Sequence, residues 1–217
     1  MEVWPRARTL ASFLDGVTVI CELAATFTTA DWHAPTPCGD WRAADIAGHL
    51  RCVADNLGEY LDAAPRGRLA TLMAADVDAV ELERMLARQN AAELVALGRA
   101  PGPVSVRAFA ATAREQARRL PALWTRTYYR YRGVDVTVGD AVGALCVEWH
   151  VHAWDLARAR GMDYRPGDPA TLVAGWRTGL RYRPIGGGEP WLAVLRAYGR
   201  STLAEGAHAP WSPPRAV

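Results

Sequence analysis

Glu148 and His152 stand four residues apart in Val147-Glu148-Trp149-His150-Val151-His152. On a helix that spacing sets both side chains on one face, with Cβ atoms about 5–6 Å apart. A carboxylate oxygen and an imidazole nitrogen so placed suit one divalent ion, zinc or similar, and a third protein ligand would leave a position open to water or substrate. His49 is the natural third, because it sits within the apolar stripe Ile46, Leu50, Val53, Leu57 and Leu61, at a position that the pattern reserves for the core. Each signal alone has a plainer explanation. A Glu/His pair at this spacing is a common surface pair, and one histidine on an apolar stripe is usually a hydrogen-bonded core residue. Their joint occurrence favours the metal, since burying a carboxylate and two imidazoles without a charged partner is costly. Asp155, three residues after His152, is placed to accept that ring's second N–H.

The neighbouring residues divide by the same geometry. His150 is two residues from both Glu148 and His152 and should point away from them. Cys52 follows His49 by three and could approach the ion as a thiolate, although a small buried hydrophobe is the simpler reading. Trp41 and Trp149, with Trp32 and Trp154, bracket the histidines and are candidate walls of an apolar pocket, while aromatics at helical spacing are more often core. Cys38, in a Pro-Cys-Gly turn, has no adjacent base and little support as a nucleophile. Any of several arginines could clamp a carboxylate. Gly186-Gly187-Gly188 follows no strand and precedes no lysine, which disfavours nucleotide binding.

Helices must carry these side chains. Leu10, Phe13, Leu14, Val17, Ile20, Leu23 and Phe27 recur at helical steps over Arg8–Thr28. A Pro- and Gly-containing turn then leads to a second helix from about Trp41 to Ala63, with Asp40 as its expected cap. Pro65–Pro103 reads as irregular helix. Ser105 is the expected cap of a third long helix that Pro121 should kink or end, and Tyr128–Val138 reads as a short extended or hairpin-like connection. The helix bearing the chemistry spans about Val138–Arg160 and is closed by Gly161. Short helices follow from Asp168-Pro169 to Leu180 and over Trp191–Tyr198. With no convincing strand alternation, the expected fold is an all-α antiparallel bundle over residues 1–202 with a tail at 203–217.

Composition excludes several classes. A formal charge of +2, with no basic run, is too weak for a nucleic-acid partner, and no apolar stretch approaches the roughly 20 residues that span a bilayer. The opening residues lack the basic start and apolar run of a signal peptide, so the expected location is cytoplasmic. Cys21, Cys38, Cys52 and Cys146 form no CxxC pair and are expected to be reduced thiols. All 25 basic residues other than histidine are arginine, a bias typical of high-GC coding.

Pro35-Thr36-Pro37-Cys38-Gly39-Asp40-Trp41, Asp45-Ile46-Ala47-Gly48-His49-Leu50 and Glu148 through Ala157 together resemble the mycothiol-dependent maleylpyruvate isomerase N-terminal domain family of the DinB-like superfamily. Leu195–Arg200 resembles the closing segment of its single-domain actinobacterial members. The resemblance spans nearly the whole chain. It implies an up-down-down-up four-helix bundle, a divalent metal on His49, Glu148 and His152, and mycothiol as a co-substrate. Arg42 stands where the family commonly has Thr or Ser after the tryptophan, which shifts the capping burden to Asp40. The length is short of the isomerase's further C-terminal domain, which favours transfer of the thiol to a small electrophilic metabolite. A thiol-dependent isomerase, a thiol-free cyclisation or rearrangement enzyme and a non-catalytic metal-binding stress protein are the alternatives. The expected assembly is a monomer or homodimer.

Overall fold

The computed structural model describes residues 6–62, 77–98, 100–200 and the backbone of 209–210. Among these residues the chain is an all-α helical bundle carrying one small hairpin. Helix α1, Arg6–Ala25, buries Phe13, Val17, Ile20 and Leu23 at helical steps. It stops two residues before the last apolar residue of the pattern, Phe27: the Thr26 hydroxyl donates to the Leu23 carbonyl at 2.7 Å, and Thr28 closes a turn by donating its N–H and hydroxyl to Asp31. Helix α2 covers Ala43–Asp62. Its expected cap is corrected: Asp45 reaches back to accept the Arg42 N–H at 2.8 Å, so the first-turn carboxylate serves the helix start in place of Asp40.

Helix α3, Ala79–Leu97, is regular where irregular helix was expected, because Asp78 accepts the Glu81 N–H at 2.9 Å and starts it cleanly. The preceding 63–76 lie outside the described residues. Helix α4, Gly102–Leu123, begins before Ser105, which is buried inside it and does not cap it. Pro103 tolerates this because the first helical N–H groups have no partner to lose. Pro121 lies inside the helix, which ends two residues later.

Strands β1 (Thr127–Tyr131) and β2 (Val134–Thr137) pair antiparallel. The turn between them holds Arg132 at φ 47° and Gly133 at φ 78°, the left-handed pair that matches strand twist and that glycine adopts without a Cβ clash. Thr137 then opens helix α5, Val138–Ala159, through a reciprocal cap with Asp140. Gly161 follows at φ 67°. Strand β3, Met162–Asp163, pairs in parallel with β4, Ala209–Pro210, and the other residues of the expected 203–217 tail lie outside those described. Helices α6 (Pro169–Gly179) and α7 (Pro190–Ala197) are capped by Asp168 and Glu189.

Helix α1 packs on α4 and α5, α2 packs on α4, and α2 meets α5 more lightly. Helix α3 covers α2 and α6 lies along α5. The α5–α6 crossing is a backbone contact, since a Cβ on Gly175 would sit 2.4 Å from the Gly143 carbonyl oxygen. Gly175→Ala is therefore expected to lower stability by about 1–3 kcal/mol, read as a lower midpoint in urea with an unchanged slope. No helix among the described residues is long and apolar enough to cross a membrane.

Candidate metal centre

The lighter contact between α2 and α5 leaves a cavity of about 410 Å³ walled by those helices, α3, β1 and the segment after α6. His49 projects into it from α2, and Glu148 and His152 from α5. Nε2 of His49 lies 2.8 Å from Glu148 Oε1, and Nε2 of His152 lies 3.2 Å from the same oxygen. Both imidazoles keep 3% of their side-chain surface exposed and Glu148 keeps 21%, so the carboxylate is the member facing the open cavity. The three donor atoms lie within 4.8 Å of one another. Trp41 backs the pair, its ring centre 4.9 Å from that of His49 and 6.4 Å from that of His152.

A second layer orients the first. His152 Nδ1–H donates to Asp155 at 3.0 Å, and Arg200 Nε and Nη2 donate to the two oxygens of that carboxylate at 3.1 and 2.8 Å. The Tyr198 hydroxyl donates to Glu148 Oε2 at 2.6 Å, and Arg200 Nη1 donates to the Tyr198 carbonyl at 2.7 Å. Tyr198 and Arg200 thus lock the carboxylates from a segment far along the chain. Their roles are invisible in local spacing, because Arg200 is one of many arginines until the fold selects it.

Other candidates fall elsewhere. Trp149 does not line the cavity. It is fully buried against Phe13 and Phe109, with ring centres 5.8 and 4.9 Å away. One residue along a helix is a rotation of roughly 100°, which turns it from the face of Glu148 toward α1 and α4. Cys52 is half-buried on α2, near Glu93 and Asp55 and off the cavity wall. His150 points away from the centre, with Nδ1 2.6 Å from the Tyr164 hydroxyl and Nε2 3.2 Å from the Ser12 carbonyl oxygen. Cys38, weak on sequence grounds, lines the cavity beside His152 and Arg200. Burial pushes its thiol pKa up despite those cations, which keeps it protonated at neutral pH. Cys38, His152 and Asp155 form a second cluster of potential ligands, but Asp155 already holds His152 and Arg200.

The donor set fits a divalent ion: two imidazole nitrogens converge on a carboxylate oxygen, and one of those imidazoles is held at its far nitrogen by a buried carboxylate. Without an ion the same groups form a charge relay. Burial favours neutral His152, yet Asp155 and Glu148 prevail and raise its pKa to about 10. His49 moves the other way because burial outweighs Glu148. Burial also favours the protonated form of Glu148, but the two imidazoles hold its pKa well below the usual carboxylate range. Liganding an ion requires neutral His152, so one proton must leave. Apparent metal affinity is expected to rise about tenfold per pH unit between roughly pH 7 and 9, with one proton released per site, measurable by calorimetry in buffers of different ionisation enthalpy. In the metal-free protein the sign is opposite. The folded pKa of His152 lies above its unfolded 6.5, so its contribution to stability is full below pH 6.5 and is lost as pH rises through about 10.

The sequence profile of the mycothiol maleylpyruvate isomerase N-terminal domain matches residues 13–157, about two-thirds of the chain. That span contains His49, Glu148, His152 and Asp155 and ends before Tyr198 and Arg200. No curated protein and no solved structure gives a significant match.

Proposed function

Since the chain belongs to the mycothiol maleylpyruvate isomerase N-terminal domain family, we propose that it is a metal-dependent enzyme that transfers mycothiol to a small electrophilic metabolite. The observation that carries this reading is the convergence of His49, Glu148 and His152 on the wall of an open cavity of small-molecule size. In this reading those three side chains hold the ion. A divalent ion at such a site supplies Lewis acidity, which lets a thiol lose its proton near neutral pH.

The chain's own groups do the rest. Asp155 keeps the His152 proton on Nδ1, so that Nε2 is the liganding nitrogen. Tyr198 occupies Glu148 Oε2 and leaves Oε1 to face the histidines. Trp41, Leu145 and Tyr128 give the cavity wall apolar surface, which strengthens the attraction between a thiolate and nearby positive charge. Cys38 stays protonated and does not compete as a nucleophile. When the thiol adds to a conjugated electrophile, a carbon–sulfur bond forms, the π pair shifts toward the carbonyl and the thiol proton ends on carbon. Retaining the adduct gives transfer, whereas rotation followed by loss of the thiol would give isomerisation.

Titrating the metal-loaded protein with mycothiol tests the proposal. Saturable binding is expected in the micromolar to millimolar range, accompanied by loss of the thiol proton at neutral pH. Absence of binding at millimolar thiol would overturn it.

A further inference from the structure

Both guanidinium groups bordering the cavity are already engaged. Arg200 grips Asp155 with two N–H groups and gives a third to the Tyr198 carbonyl. Arg183 places Nε 2.6 Å from Glu83 Oε1 and donates Nη2 to the Ala197 carbonyl at 2.8 Å. Its flat face covers the Trp176 and Tyr198 rings, with the central carbon 5.0 and 5.3 Å from their centres. Among the described residues lining the cavity there is no other arginine. The rest of the wall includes the flat or apolar side chains of Tyr128, Tyr129, Tyr182, Leu86, Leu145 and Leu180, and Glu148 adds negative charge.

A substrate carboxylate entering here would give up its hydration and find, among the described lining residues, no uncommitted arginine to replace it. The metal centre does not restore the balance: a divalent ion, the Glu148 carboxylate and a bound thiolate sum to zero. We infer that the second substrate is an uncharged, flat, conjugated electrophile, such as an enone or quinone, and not a carboxylic acid. Its role as acceptor rests on the thiol-transfer reading, whereas the charge preference rests on the engaged arginines and on a metal centre occupied by a thiolate, whatever reaction follows. The reaction is a net addition of the thiol S–H across the conjugated double bond and needs no oxidant.

Two matched, unreactive ligands separate these claims. Calorimetry on the metal-loaded protein with mycothiol bound would compare 4-phenylbutan-2-one with 3-phenylpropanoate, which differ in a methyl ketone against a carboxylate. The ketone is expected to bind at least about tenfold more tightly, and equal or tighter binding of the carboxylate would overturn the inference. Glu83→Gln frees Arg183 and should shift this preference about tenfold toward the carboxylate, with ketone affinity unchanged within about twofold. If the preference does not move, engagement of Arg183 is not what excludes acids, and the inference fails. Conjugation of mycothiol to 4-phenylbut-3-en-2-one reads the transfer reaction separately. A ketone preference without conjugation would sink the transfer reading and leave the charge preference standing.

Discussion

His49→Ala is expected to yield a folded protein that has lost stoichiometric divalent metal. The side chain is 2% exposed and supplies one of the three converging donor atoms, while Glu148 and His152 remain on a single helix four residues apart. Two ligands on one helix turn hold an ion far more weakly than three from two helices. Removing a partner that only orients a ligand typically costs 10–100-fold in metal affinity, so loss of the ligand itself should cost at least about 100-fold. Elemental analysis of protein purified by gel filtration reads the result, and far-UV circular dichroism verifies that the bundle persists. His150→Gln is the control, since His150 faces Ser12 and Tyr164, and its metal content should match the unsubstituted protein. Unchanged metal in His49→Ala would mean that the ion is held elsewhere.

Asp155→Asn is expected to produce the other large effect, and on two properties at once. Asp155 is fully buried and is the shared partner of Arg200 and His152. Burial alone would raise its pKa, but those two partners hold it down, so the carboxylate is charged at neutral pH. Neutralising it leaves Arg200 without its counter-charge, a loss of about 3–5 kcal/mol for a buried pair. It also replaces the charged acceptor that fixes the His152 tautomer by a neutral amide, worth a further 10–100-fold in metal affinity. Urea denaturation of metal-free protein isolates the first effect, and metal titration near pH 10, where proton competition at His152 is small in both proteins, isolates the second. The double substitution Asp155→Leu with Arg200→Leu sharpens the test. Removing both charges should recover much of the stability but none of the metal affinity, because no carboxylate remains on Nδ1. Recovery of both would show that Asp155 acts on stability alone.

Readability of the fold from sequence followed the range of the interactions involved. The hairpin, the capped start of α5 and the short helices after Asp168 and Glu189 depend on residues within a few positions of one another. The errors were of the same local kind. Asp40 and Ser105 are both good capping types, but Asp45 serves the start of α2 and Pro103 allows α4 to begin early. Residue type alone does not place a helix start, since Asp45 bonds the Arg42 N–H from within the first turn and α4 starts after Pro101 with no side-chain cap.

By itself the sequence determined the elements that a single helix makes rigid: Glu148, His152 and Asp155 are spaced so that one α-helix must bring them together. It also placed His49 on the buried stripe of another helix, where only a partner could justify it. The tertiary structure alone decided that α2 and α5 face each other across a cavity, so that His49 meets Glu148 at 2.8 Å over a separation of 99 residues. It selected Arg200 and Tyr198 as the groups that lock the carboxylates, brought Cys38 to the cavity wall and turned Trp149 into the core. The reason is physical: helix periodicity fixes directions about one axis, whereas which distant charge neutralises a buried carboxylate depends on how several axes pack.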